Sequence, residues 1–300
     1  MDKPLKYGLF LILAITGIIF VFNSLFIILG GGYFLIFASA VISAIIISAT
    51  IILTTPFLKD ILATYRTMMR LENLSHPLLI ELSLETPGTY QHSLMVASLA
   101  HRAAKAIGAN SLLARIGGYY HDIGKIKNPE YFIENQSFGV NPHTELNNPQ
   151  KSARIIMHHV FDGVKMAHNH NIPKEIIDLI EQHHGTTTVN FFYDLAKSKS
   201  KNANKNDFRY PGPKPLSLES AILMLADAIE AKIRLCNKIT PLIIRETVDD
   251  VINMRMHEHQ LDFSNLDNEK RERVRLSFID TLSTMFHQRI KYPGDVKNAK

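Results

Sequence analysis

The chain has 300 residues and a formal net charge of +5, with 33 Lys and Arg against 28 Asp and Glu. That length suits one or two domains and excludes a single small module. Cys236 is the only cysteine, which excludes an intrachain disulfide framework and fits a reducing compartment for residues 59–300.

Lys3 and Lys6 are followed by no charged residue from Tyr7 to Leu58. A membrane helix needs about 20 apolar residues, so this run is too long for one span and right for two. The pattern predicts spans over Tyr7–Leu29 and Tyr33–Phe57, joined by a tight hairpin at Gly30-Gly31-Gly32. A cleavable signal peptide does not fit. The first apolar run exceeds the ~7–15 residues of its hydrophobic region, and no small-residue cleavage site follows directly. Lys3 and Lys6 before the first span, and Lys59, Arg66 and Arg70 after the second, put both ends on the cytoplasmic side. The expected location is therefore the cytoplasmic membrane, multi-pass, with the rest of the chain in the cytoplasm.

Residues 59–76 carry Ile61, Leu62, Tyr65, Met68, Met69 and Leu71 at near-helical spacing and read as a connector helix, rigid or dimerising, that Pro77 breaks. From Thr89 onward almost every segment reads as helix. "HSLMVASLAHRAAKAI" (92–107) ends at Gly108, and further helices are predicted over 111–124, 149–170, 173–184, 216–236, 240–256 and 269–290. Residues 125–148, rich in Asn, Pro and Gly, read as a long loop, and 197–215 as a basic low-complexity loop ending in a Pro-rich turn. The expected fold is all-α: a transmembrane hairpin (1–58), the connector (59–76) and a cytoplasmic helical bundle (77–300).

Against that background, "YYHDIGK" (119–125) sets His121 and Asp122 side by side, and other ligand-type residues recur: His92, His158 or His159, His183, His184 and Asp227. All lie in or beside predicted helices, as in bundles whose facing side chains build a metal site in the core. Imidazoles and carboxylates suit manganese, iron, zinc or cobalt, and the lack of thiolates argues against a structural zinc knot. Seven ligands exceed the needs of one ion; two ions sharing a bridging carboxylate fit the count better. His158 and His159 are adjacent and cannot both face inward. His101 lies nine residues past His92, about 900° of helical rotation, and faces the other side. Asp227, inside the apolar "LMLADAIEA", needs a buried partner: a metal, or a salt bridge to Arg234. His76, His143, His168, His170, His257, His259 and His287 lack a companion carboxylate and read as ordinary surface or core residues.

The order H…HD…D (His92, His121-Asp122, Asp227) resembles the HD superfamily of metal-dependent phosphohydrolases. "ETPGTYQHSLMVASLA", "LLARIGGYYHDIGKIKNPEYFIENQ", "QHHGTTTVNFFY", "FRYPGPKP" and "HQRIKYP" together resemble its seven-transmembrane HD family, bacterial membrane phosphodiesterases that hydrolyse cyclic di-AMP. The resemblance runs from about residue 40 to residue 293. It implies a dinuclear site with two divalent ions, manganese or iron. His92, His121, Asp122 and Asp227 would hold one, His159, His183 and His184 the other, with Asp122 as the bridge. His159 is implied over His158 because the family ligand directly precedes V-x-D-G, here Val160 to Gly163. Lys125 would serve as the catalytic cation near a substrate phosphate, and the product would be linear 5′-phosphoadenylyl-adenosine.

The implied partners are a cyclic dinucleotide and the membrane, a homodimer through the connector being compatible, with no nucleic-acid polymer among them. Arg209 could add a second cation, and Tyr119, Tyr120 or Phe132 could stack on adenine, although each aromatic also suits the core. Two departures stand out. The family's members carry an extracytoplasmic domain and seven spans, so this chain resembles a truncated or split form. Gly185 also stands after His184 where the HHE…DGxGYP pattern of cyclic di-GMP hydrolases has Glu. The competing readings are a mononuclear hydrolase of another nucleotide, which leaves the His183-His184 pair without a use, and a non-catalytic nucleotide sensor, which would not need every ligand.

Overall fold

The computed structural model describes residues 14–21, 24–25, 28, 32–136, 141–200 and 202–286. The chain divides into two compact units, at Arg70 and Leu71.

α1 (Tyr33–Glu72), whose residues up to Arg70 belong to the first unit, is a 40-residue helix that starts with the predicted second span and runs on through most of the predicted connector without interruption. Pro56 sits inside it, where a proline removes one backbone hydrogen bond. The hydroxyls of Thr50, Thr54 and Thr55 donate to carbonyls one turn back, at 2.8, 2.7 and 2.6 Å, so the polar groups around that proline turn inward on the helix itself. Ile42, Ile45, Ile52 and Leu53 face outward and exposed. Among the described residues one helical stretch, Phe37–Glu85, is long and apolar enough to cross a membrane, with a mean hydropathy of 2.3 over an 18-residue window. Of the predicted first span, residues 14–21 are helical. Lys3, Lys6, Gly30 and Gly31 lie outside the described residues, as does "HQRIKYP".

The second unit is an all-α bundle. Its helices are α2 (Pro77–Glu85), α3 (Pro87–Ile107), α4 (Ser111–Tyr120), α5 (Pro142–Leu146), α6 (Pro149–Asn169), α7 (Lys174–Gln182), α8 (Asn190–Lys199), α9 (Leu218–Arg234), α10 (Pro241–His257) and α11 (Asn268–Met285). Five of them open on proline, which has no N–H to leave unpaired in the first turn. Asn110, Asn148, Thr240 and Asp267 cap α4, α6, α10 and α11 by accepting from backbone N–H groups. The core is built on α3. Its small buried residues Ala100, Ala103 and Ala104 let Ile222, Leu225 and Ile229 of α9 and Val274 and Phe278 of α11 close in around Val96 and Leu99. Truncating Phe278 to Ala would cost about 3–5 kcal/mol by the usual rule for large buried aromatics.

Several predicted boundaries move. The helix over 111–124 stops at Tyr120: the His121 N–H bonds back to Gly117 O at 2.9 Å, Asp122 leaves helical geometry (φ −109°, ψ 13°), and the chain tightens into a 3-10 turn over Ile123–Lys127. The helix over 173–184 stops at Gln182, so His183 and His184 stand just past its end. In the loop over 125–148, prolines that signal a break instead start short elements at Pro129 and Pro142. The loop over 197–215 is likewise more ordered than its composition suggests. It begins inside α8, whose Phe192 and Ala196, one turn apart, bury with Ala153 and Phe208. A 3-10 turn follows at Lys205–Phe208, and an isolated antiparallel bridge joins Thr188 to Arg209. No strand occurs among the described residues. Of the helix over 269–290, the described part ends at Met285.

Candidate metal centre

The bundle brings seven side chains to one buried point from five places in the sequence. α3 supplies His92, the turn after α4 supplies His121 and Asp122, α6 supplies His159, the end of α7 supplies His183 and His184, and α9 supplies Asp227.

Asp122 lies at the centre. Its Oδ2 is 3.1 Å from His121 Nε2 and 3.6 Å from His92 Nε2, while its Oδ1 is 3.2 Å from His159 Nε2 and 3.7 Å from His183 Nε2. Asp227 closes the ring, with Oδ1 at 3.1 Å from His92 Nε2 and Oδ2 at 3.7 Å from His184 Nδ1. Potential ligand atoms of His92, His121 and Asp227 lie within 4.8 Å of one another, and so do those of His159, His183 and His184. His158 instead points outward, beside Phe161 and 3.7 Å from Asp162. His101 turns away and meets Ser111 O at 3.0 Å.

A close approach makes this geometry available. Gly124 packs so tightly on α6 that a Cβ there would fall 1.9 Å from His159 O and 2.5 Å from Gly163 N. No other residue could sit two positions after Asp122 and still leave Asp122 within reach of His159. Gly185 is constrained as well: φ is +53°, and a Cβ would meet Gln260 Oε1 at 2.5 Å. The position where the cyclic di-GMP hydrolase pattern has Glu is therefore held here in a left-handed backbone conformation that a side chain would strain.

The hydrogen bonds aim the rings. His121, His159 and His183 each place Nδ1 on a carbonyl three residues back, Gly118 O at 2.9 Å, Ile156 O at 2.6 Å and Ile180 O at 2.7 Å. A carbonyl only accepts, so each Nδ1 carries the proton and each Nε2 turns a lone pair inward. His159 Nε2 and His183 Nε2 thus face each other at 3.3 Å as two acceptors. His121 Nε2 and Asp122 Oδ1 are buried with no well-directed hydrogen bond. Converging lone pairs around a carboxylate oxygen without a donor are what a divalent cation satisfies.

Electrostatics agree with that donor set. Burial, with His121 close by, pushes His183 down to about 3, and burial beside His183 drives His184 well below the usual histidine range, so both rings are neutral. Burial favours protonation of Asp122 and Asp227, but the surrounding histidines, and Lys125 for Asp122, hold both carboxyls well below the ordinary range. His92 goes the other way: burial disfavours its charge, yet Asp227 and Glu230 raise it to about 9. The carboxylates around His92 call for positive charge.

Lys125 lies next to this cluster. Its Nζ donates to Asp122 Oδ2 at 2.8 Å and Glu134 Oε1 at 2.7 Å, 5.0 Å above the Phe132 ring. Burial alone would discharge it, but the two carboxylates raise its pKa, so it stays a cation. Of the candidate stacking residues, Tyr120 is fully buried and Phe132 nearly so, both as core. Arg209 is exposed.

Three participants escape the sequence reading. Glu230 binds His92 Nδ1, and the salt bridge proposed between Asp227 and Arg234 forms instead between Glu230 and Arg234, at 2.6 Å. Tyr210 stacks on His184, with ring centroids 4.2 Å apart. Glu134 holds Lys125 and accepts from Thr89 Oγ1 at 3.0 Å. Only Glu230 leaves a readable trace, lying three residues after Asp227 and so on the same helix face.

An all-α bundle that folds a histidine, a His-Asp pair and a distant aspartate into one buried cluster defines the HD-domain class, and residues 89–232 match the HD domain family. The chain belongs to the HD-domain family, and its similarity extends well past that core. It is 44% identical over 263 residues to the cyclic-di-AMP phosphodiesterase PgpH of Bacillus subtilis, covering 87% of this chain and 37% of that protein. It is 42% identical over 234 residues to PgpH of Listeria monocytogenes, covering 78% of this chain and 32% of that one. The chain thus spans about a third of the length of these relatives. The crystal structure of the L. monocytogenes phosphodiesterase PgpH HD domain in complex with cyclic-di-AMP superposes with a TM-score of 0.69 at 42% identity, covering 72% of this chain and all of that one.

Proposed function

We propose that this chain is a metal-dependent phosphodiesterase that opens cyclic di-AMP to linear 5′-phosphoadenylyl-adenosine. In this reading His92, His121, Asp122 and Asp227 hold one divalent ion, and His159, His183 and His184 hold the second, with Asp122 shared between them. The observation that carries it is the position of Asp122, whose two oxygens face two separate groups of histidine nitrogens. Manganese or iron there would supply Lewis acidity, acidifying water and offsetting phosphoryl charge.

The chain's own residues supply the rest. The Nδ1 bonds to carbonyls fix three imidazoles in aim. Lys125 is held as a cation beside Asp122, where it would stabilise charge on a non-bridging phosphoryl oxygen. The proposed organisation is a membrane hairpin over 1–58, a connector over 59–76 and a catalytic bundle over 77–300 on the cytoplasmic side. The exposed apolar face of α1 and the basic residues Lys59, Arg66 and Arg70 support it.

The test is to offer the manganese-loaded protein cyclic di-AMP, cyclic di-GMP, guanosine tetraphosphate and a single-stranded RNA side by side. Cleavage of cyclic di-AMP well ahead of the other three is expected. Preference for guanosine tetraphosphate or RNA would overturn the substrate assignment.

A further inference from the structure

His92 is the one imidazole among these ligands whose Nδ1 is hydrogen-bonded to a carboxylate; His184 Nδ1 stands farther off, 3.7 Å from Asp227 Oδ2. His121, His159 and His183 use carbonyls of their own local backbone. Asp227 and Glu230, three residues apart on α9, present one face to His92 and grip its two nitrogens separately: Asp227 Oδ1 at Nε2 and Glu230 Oε2 at Nδ1. Glu230 is buried, and its other oxygen accepts from Arg234 Nε at 3.1 Å and from a terminal guanidinium nitrogen at 2.6 Å. With both oxygens engaged, the carboxylate cannot turn without breaking one contact.

We infer that Glu230 is a positioning residue for the first ion: it fixes the tautomer and aim of His92, and Arg234 locks Glu230 in that pose. This rests on the reading of the cluster as a metal centre. Without an ion both nitrogens of His92 face acceptor-only carboxylates; with an ion at Nε2, Glu230 would keep the proton on Nδ1 and leave the Nε2 lone pair to the ion. If Glu230 were only the buried half of a salt bridge, Arg234 alone would satisfy it and the contact to His92 would be superfluous. Partners of this kind orient a ligand and typically account for about 10–100-fold in metal affinity.

The test uses the detergent-solubilised full chain, stripped with chelator and titrated with manganese, free ion being read by electron paramagnetic resonance. Wild type should bind two equivalents. Glu230→Leu should weaken one equivalent by about 10–100-fold and leave the other unchanged. Glu230→Gln, whose amide oxygen still accepts from Nδ1–H, should recover most of that loss. Arg234→Met should weaken the same equivalent, by less than Glu230→Leu. Wild-type affinity at both equivalents in Glu230→Leu would overturn the inference. So would equal weakening of both with a lower melting temperature of the chelated protein, since that marks general packing. Should Glu230→Leu not fold, unchanged binding in Arg234→Met would overturn it just as well. No dinucleotide enters the assay, so failure to cleave cyclic di-AMP would strike the substrate assignment and leave this inference standing.

Discussion

His92 and His183 are both buried imidazoles that turn Nε2 toward Asp122, yet they are aimed by different means. His183 leans on the carbonyl of Ile180, three residues back, so its direction is set once the end of α7 has formed. His92 leans on Glu230, 138 residues away, which itself leans on Arg234. His121 in the first half of the site, like His159 and His183 in the second, is aimed by local backbone, while His92 alone is aimed by a relay of side chains that exists only after α3 and α9 have packed. Asp122 belongs to both halves. The difference separates substitutions that should disable the whole site from those that should disable one half.

The largest effect is expected at Asp122. Asp122→Ala should abolish hydrolysis and lower metal content at both positions, whereas His159→Ala should chiefly empty the second, both read by elemental analysis of purified protein. Equal metal content in wild type and Asp122→Ala would break the comparison at its centre. Next comes Gly124, where the added methyl would strike the carbonyl of His159. Gly124→Ala should destabilise the fold by at least about 1–3 kcal/mol in denaturant melts, the usual cost of overpacking, and should weaken metal binding. A variant with wild-type stability and metal affinity would show that α6 yields freely.

The two halves should also respond oppositely to pH in the chelated protein. His92 is raised to about 9, so its stabilisation is full below its unfolded value near 6.5 and is lost as pH rises through 9. His183 is lowered to about 3, so its contribution is present above 6.5 and is lost as pH falls toward 3. The melting temperature should therefore peak between these windows. A melting temperature rising steadily from pH 5 to pH 9 would remove His92 from this account.

Much of the site is visible in the sequence for a physical reason. His121-Asp122 and Asp227 stand out because ionisable groups in apolar helical runs need a partner, and the recurring histidines offer one. The pairing of His92 with Glu230 is not visible, because nothing local links positions 138 residues apart. Composition misleads in the segment after His184. Its lysines and asparagines suggest an unstructured loop, but Phe192, Ala196 and Phe208 bury together, and the backbone bridge at Arg209 brings Tyr210 over His184. The end of α4 is missed because its helical pattern continues past Tyr120, where backbone packing on His159 outweighs propensity.

The smallest effect is expected from the N-terminal region. Removing residues 1–58 should change turnover by less than about tenfold, roughly 1.4 kcal/mol of barrier, because all seven proposed ligands lie within the second compact unit. A folded, metal-loaded but inactive protein would show that the apolar region helps build the site.

The central claim, that Asp122 joins two ions in one helical core, is tested most directly by anomalous diffraction from crystals of the manganese-loaded protein. Two anomalous peaks are predicted, one among His92, His121 and Asp227 and one among His159, His183 and His184, with Asp122 between them. A single peak, with His183 and His184 away from it, would contradict the account.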